Sequence, residues 1–128
     1  MKKIIFTDKA PAPIGPYNQA VLIGNTLYTS GQIALNPKTG ELILDDIETE
    51  TNQVMQNLKA VLEAADMNFD NVVKTTIFIM NMEDFAKINS VYAEYFNEKT
   101  APARETVQVA ALPKFVNVEI SMIAIKEY

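Results

Sequence analysis

Apolar side chains in residues 47–65 recur every three or four positions. Ile47, Val54, Leu58, Val61, Leu62 and Ala65 fall on one face, which predicts an amphipathic helix from Ile47 to about Ala65. Asp45 or Asp46 stands where an N-cap belongs, and Glu48 and Glu50 suit the positive end of the helix dipole. The period then changes. Val72–Met80 is β-branched and apolar on both faces, with Val72 and Phe78 opposite Val73, Ile77 and Ile79, the pattern of a central strand. A second helix is expected from Asn81-Met82-Glu83-Asp84, with Asn81 as cap and Phe85, Ile88, Tyr92, Tyr95 and Phe96 as the buried stripe. Asn97–Pro102 ends it.

Shorter strand patterns flank this middle section. Ala20–Ile23 and Thr26–Ser30 are joined by Gly24-Asn25, a favoured pair for a two-residue hairpin turn. Ser30-Gly31-Gln32 interrupts the alternation, and Asn36-Pro37-Lys38-Thr39-Gly40 is a turn signal. Two strands close the chain, Arg104–Leu112 and Val116–Lys126, connected around Pro113-Lys114. Before all of these, residues 10–16 (Ala-Pro-Ala-Pro-Ile-Gly-Pro) are stiff and extended, because proline fixes its own φ and restricts its predecessor. They read either as a polyproline ligand for another protein or as a rigid lead-in that presents Tyr17. The order is β-β-(β)-α-β-α-β-β, the bracketed strand lying between the hairpin and the first helix. One α+β domain spanning 1–128 is expected, with both helices on one face of a single mixed sheet. The other sheet face is also apolar and has no helix left to cover it, which predicts self-association.

Composition narrows the chemistry. At 128 residues, 48% hydrophobic and 21% charged, the chain suits one globular core. Its net charge of −5 and ten scattered lysines disfavour nucleic acid and anionic membranes, which need clustered positive charge. There is no cysteine, hence no disulfide, thiolate nucleophile or thiolate metal site, and no histidine, the commonest general base. The first eight residues hold too short an apolar run for a signal peptide, and no segment approaches the roughly 20 apolar residues of a membrane span. A cytoplasmic protein is expected.

Arg104 is the sole arginine among eleven basic residues. It is either a chance surface cation or a guanidinium placed for two-pronged recognition of a carboxylate or phosphate. Strand alternation puts Thr106, Gln108 and Ala110 on its face and Glu105 on the other. Glu119, between Val118 and Ile120, sits either on the solvated face of an edge strand or at a site. If residues 113–116 form a hairpin loop, Leu112 lies opposite Asn117 and Ala110 opposite Glu119. Arg104 and Glu119 then share a face at a separation of roughly 20 Å, so one small-molecule site would use them from two different subunits.

The run Pro102-Ala103-Arg104-Glu105-Thr106-Val107-Gln108-Val109-Ala110-Ala111-Leu112-Pro113-Lys114, with Val118-Glu119-Ile120 after it, resembles the signature of the YjgF/RidA family of reactive intermediate deaminases. So do Ala12-Pro13-Ile14-Gly15-Pro16-Tyr17-Asn18-Gln19-Ala20, Tyr28-Thr29-Ser30-Gly31-Gln32, Asn57–Leu62 and Asn89–Phe96, in order along nearly the whole chain. The resemblance implies a chorismate-mutase-like fold and a homotrimer with sites in the clefts between subunits. It implies cofactor-free hydrolysis of 2-imino and 2-enamino acids, such as 2-iminobutanoate and 2-iminopropanoate, to 2-oxo acids and ammonia. Arg104 falls on the family's carboxylate-binding arginine, and Tyr17, Ser30, Gly31, Asn89 and Glu119 on other site positions. Many members have a small residue in place of Glu105 and cysteine in place of Thr106. Thr106 removes a thiol but keeps a small polar contact for substrate or water. On this reading Arg104 clamps the carboxylate, Glu119 holds the water, Tyr17 forms a wall, and Ser30 with the Gly31 backbone touches substrate or water. The competing readings are a non-enzymatic trimeric module that binds a small carboxylate, and a ribonuclease. The acidic charge and missing histidine weigh against the ribonuclease.

Overall fold

A computed structural model describes residues 1–127. Six strands and two helices follow one another as β1 (Lys2–Ile5), β2 (Ala20–Ile23), β3 (Thr26–Thr29), α1 (Ile47–Ala64), β4 (Val72–Ile79), α2 (Phe85–Ala93), β5 (Ala103–Gln108) and β6 (Val118–Ile125). They form one mixed sheet in the order β1-β2-β3-β6-β4-β5. The β4–β5 pair is parallel and the others are antiparallel. This is the expected α+β arrangement.

Local chemistry explains the elements. Asp46 caps α1 by accepting a hydrogen bond from the Thr49 amide at 2.7 Å, so Asp46 rather than Asp45 starts the helix. Val54, Leu58, Val61, Leu62 and Ala65 are buried as the periodicity requires. Their partners on the sheet include Leu27, Ile77, Ile79, Ile120, Met122 and Ala124. Asn81 caps a 3-10 turn at Met82–Asp84 that leads into α2. The second helix stops at Ala93, yet Tyr95 and Phe96 still pack on the core, stacking edge-on against Phe69. The Gly24-Asn25 hairpin forms, with positive φ at Gly24 alone, the type II′ choice.

Four features depart from the sequence reading. The first strand is Lys2–Ile5, too short and too charged to announce itself by alternation. Between the hairpin and α1 there are only isolated bridges, Gln32 with Ile120 and Leu35 with Leu42, instead of a strand. A bulge between Val72 and Lys74 shifts the alternation. It turns Val72 inward with Ile77 and Ile79 and leaves Val73 exposed, so only Phe78 of the expected pair faces outward.

The largest departure concerns the last two strands, which do not form a hairpin. β5 ends at Gln108, and residues 109–117 carry the chain past the end of β4 to its other side. The Val109 amide bonds to the Ile79 carbonyl, and the Met80 amide to the Asn117 carbonyl. β4 with α2 and β5 forms a parallel crossover unit, which leaves the other edge of β4 to β6. The sheet face without helices carries Tyr28, Lys74, Thr76, Phe78, Glu105, Val107, Glu119, Ser121 and Ile123. Tyr28 and Val107 are among its exposed apolar groups.

Candidate active site

Arg104 pairs in register with Thr75, a fully buried residue on the helix-covered face. Its guanidinium lies 5.0 Å from the centroid of the Tyr92 ring and 5.6 Å from that of Phe85. Nη1 donates a 2.6 Å hydrogen bond to Asn89 Oδ1. Tyr92 is itself held by donating its hydroxyl proton to Thr75 Oγ1 at 3.0 Å. Burial pushes the Tyr92 phenol up, against smaller opposing effects of Thr75 and Arg104. Helix α2 thus supplies a ring platform and one amide acceptor, and the rest of the arginine fork borders an open cavity of about 560 Å³ lined in part by Asn89, Tyr92, Ala101 and Arg104. Thr106, two residues on along the same face, has a buried hydroxyl oxygen with no hydrogen-bond partner. Glu105 points the other way, as alternation requires, and pairs with Lys74 at 2.6 Å.

Glu119 pairs with Phe78 on the opposite, helix-free face. It lines a cleft of about 390 Å³ with Tyr17, Ser30, Gly31, Lys114 and apolar walls that include Ile14, Ile33 and Pro113. Burial alone raises its carboxyl above the ordinary value of 4.5. Gly31 is what admits it. A methyl group on Gly31 would sit 2.7 Å from Glu119 Cδ and 2.8 Å from Oε1. Residue 31 is held there because the Gln32 amide and carbonyl bridge to Ile120, the neighbour of Glu119.

The cleft's other wall depends on Gln19. Its buried side chain accepts from the Thr7 amide and donates to the carbonyls of Thr7, Ala10 and Pro11. These bonds pin the proline-rich lead-in that carries Tyr17. The Gln19 carbonyl accepts from Ser30 N–H at 2.9 Å, and Ser30 donates its hydroxyl proton to the Asn18 carbonyl. Sequence reading missed Gln19, since a glutamine beside an apolar strand gives no signal of four local partners.

The seven candidate residues therefore fall into two groups. Tyr17, Ser30, Gly31 and Glu119 share one cleft, while Arg104, Asn89 and Thr106 gather on the other side of the sheet. The expected common face for Arg104 and Glu119 is wrong: β4 lies between their strands, and their partners on it are an odd number of residues apart, so the two side chains point to opposite faces. Their register partners, Thr75 and Phe78, are only three residues apart, about 10 Å along the strand. It is the sheet itself, not a 20 Å separation, that keeps one subunit from bringing the two groups to one small molecule. Among the described residues no cluster of three metal-ligating side chains occurs, and no helix is long and apolar enough to cross a membrane.

The chain is thus a mixed α+β domain with its lone arginine oriented on one sheet face and a carboxylate set against a glycine on the other. Residues 7–126 match the family model described as Endoribonuclease L-PSP. A RutC family protein of Pyrococcus horikoshii is 54% identical over 127 residues, covering 99% of this chain and all of that one. The 2-iminobutanoate/2-iminopropanoate deaminase of Escherichia coli is 48% identical, covering 98% and 99%. The crystal structure of E. coli TdcF with bound serine superposes with a TM-score of 0.92 at 44% identity, covering 98% and 99%. The chain belongs to the YjgF/RidA family.

Proposed function

We propose that this protein hydrolyses small reactive 2-imino and 2-enamino acids, such as 2-iminobutanoate and 2-iminopropanoate, to 2-oxo acids and ammonia. The observation that carries the reading is Arg104. It is the only guanidinium in the chain, it is oriented by Asn89 and two aromatic rings, and it borders an open cavity. That is a receptor for a carboxylate. The deaminase name of the 48% identical E. coli relative and the serine held by TdcF agree with a small amino-acid-like ligand.

The working unit is a homotrimer in which Arg104, Asn89 and Thr106 of one subunit face the Glu119 cleft of the next. Exposed Tyr28 and Val107 on the otherwise mixed helix-free sheet face support such association, and the division of the site residues between two faces supports a site completed by a second copy.

In the reaction, Arg104 binds the carboxylate and fixes the C=N carbon over the cleft. An enamine first takes a proton at C3 to become the iminium. Glu119 removes a proton from water as the oxygen adds to C2, giving the carbinolamine. That proton passes to the nitrogen, the C–N bond breaks, ammonia leaves, and the C2 hydroxyl loses its proton to give the 2-oxo acid. The iminium is electrophilic already, so orientation and modest base assistance suffice and no cofactor enters the scheme. A raised Glu119 pKa brings the carboxylate closer to the range of an effective base.

The test is hydrolysis of freshly generated 2-iminobutanoate by wild type and Arg104→Lys. Lysine keeps the charge but loses the fork. Losing one charge-assisted hydrogen bond, about 1.5–3 kcal/mol, should lower kcat/KM by roughly 10- to 150-fold. Equal rates would sink the clamp. A trimeric module that only binds small carboxylates is the second reading, favoured by the serine seen on TdcF. Glu119→Gln separates the two, because it should abolish turnover while sparing 2-oxo-acid binding if the protein is an enzyme.

A further inference from the structure

Glu50 lies in the first turns of α1 and is completely buried. Among the described residues the one ion pair is Lys74–Glu105, so no cation neutralises Glu50. Both its oxygens are taken by a single residue instead. Oε2 accepts from the Asn117 backbone amide and Oε1 from Asn117 Nδ2, each at 2.8 Å. A buried carboxylate without a cation is costly, and removing its donors would leave it costlier still. Such a group suggests a position that has to be held.

Asn117 sits between two functional features. On its C-terminal side, two residues on, is Glu119. On its N-terminal side the chain makes a tight turn in which Lys114 and Phe115 both adopt left-handed conformations, with φ of 54° and 57°. Consecutive non-glycine residues there are strained and persist only when the surroundings over-determine them. The ends of the turn are fixed. Leu112 and Val116 are buried, the Phe115 amide bonds to the Leu112 carbonyl, and the Asn117 carbonyl accepts from Met80 N–H. The turn itself is not covered. Phe115 is 85% exposed, and Lys114 lines the Glu119 cleft.

We infer that Glu50 is a positioning residue: through its two-point grip on Asn117 it holds the strained Lys114–Phe115 turn as the rim of the cleft and sets the height of Glu119 over Gly31. Its effect on turnover rests on the hydrolase reading above, while its effect on the turn does not.

The experiment compares wild type with Asn117→Asp, Glu50→Gln and the double variant Glu50→Gln/Asn117→Asp. It reads amide hydrogen exchange in residues 114–117, trimer content, thermal midpoint, and kcat and KM on 2-iminobutanoate. Asn117→Asp sets two carboxylates face to face. Exchange at the Phe115 and Val116 amides should accelerate about tenfold or more, and kcat should fall about tenfold with less change in KM. The double variant restores one carboxylate–amide pair and should return both readouts to within about threefold of wild type. Glu50→Gln alone should stay near wild type, because the Asn117 amide turns to accept from it.

The inference is overturned if the double variant is no better than Asn117→Asp. It is equally overturned if the thermal midpoint falls while exchange in the turn and kcat stay at wild-type values, for the pair would then be merely structural. Should Asn117→Asp fail to fold, Asn117→Ala removes only the Nδ2 bond, and unchanged exchange in that variant overturns the inference. A wild type inactive on imines defeats the hydrolase reading and leaves exchange in the turn to decide this one.

Discussion

Replacing Gly31 with alanine isolates the contact that defines the Glu119 cleft. Gly31 has no positive φ, so alanine costs nothing in backbone strain there. The whole perturbation is one methyl group, built 2.7 Å from Glu119 Cδ, 2.8 Å from Oε1 and 2.9 Å from Cγ. Ordinary contact begins near 3.4 Å, so the carboxylate must retreat by about 0.7 Å. It can do so by small rotations along a flexible side chain, beginning at Cα–Cβ so that Cγ moves too, in an open cleft, which limits the cost in stability to about 1 kcal/mol. Catalysis is less forgiving. A displacement approaching 1 Å of a group that must meet water and substrate costs up to about 100-fold, so kcat on 2-iminobutanoate should fall between about 10- and 100-fold. Urea unfolding and steady-state ammonia release on the same preparations provide the comparison. Wild-type kcat in a folded Gly31→Ala variant would refute the argument that Glu119 acts from its place against Gly31. A large loss of stability would show that the carboxylate cannot move as described.

The remaining predictions concern pH and the platform beneath Arg104. As the proposed base, Glu119 must be ionised, so kcat/KM should rise with pH along a limb displaced upward from the ordinary value of 4.5, in the direction burial shifts this carboxyl; Glu119→Gln should remove turnover, and a wild-type profile flat from pH 4 to 8 would count against the assignment. For stability the sign follows from the same shift: the folded state holds this proton more tightly than the unfolded chain, so stability is highest below pH 4.5 as far as this group is concerned and declines as pH climbs through the raised value. Glu119→Gln should therefore be at least as stable as wild type at pH 7, measured by urea unfolding. Tyr92→Phe keeps a ring under Arg104 but leaves the buried Thr75 hydroxyl without its partner; it should cost about 1–2 kcal/mol in stability while kcat/KM stays within about threefold.

The elements of this fold were largely legible in one dimension. Helix α1, the central strand β4, the Gly24-Asn25 hairpin and the Asn81 cap each follow from interactions within a few residues, and these a sequence displays directly. Glu50 shows the limit of that legibility. Read locally, it was an acidic residue favourable to a helix dipole. Its actual partner, Asn117, is 67 residues away, and no pattern near either residue announces the pair. Gln19 was opaque for a different reason: its partners are backbone groups, which carry no sequence signature.

Arg104 and Glu119 mark the boundary most sharply. Composition singled out the arginine, and strand alternation correctly separated it from Glu105 and joined it to Thr106, because alternation is a property of any extended chain. Which strand lies beside which is another matter. Two strands adjacent in sequence favour a hairpin locally, but here the α2 crossover commits β5 to the parallel edge of β4, and β6 must take the other. That pairing, a balance of long-range burial and backbone hydrogen bonds, sets the arginine on the helix-covered face and the carboxylate on the bare one. The candidate residues could be named from the sequence. Their division between two faces arose from the register in which β5 and β6 pair with β4.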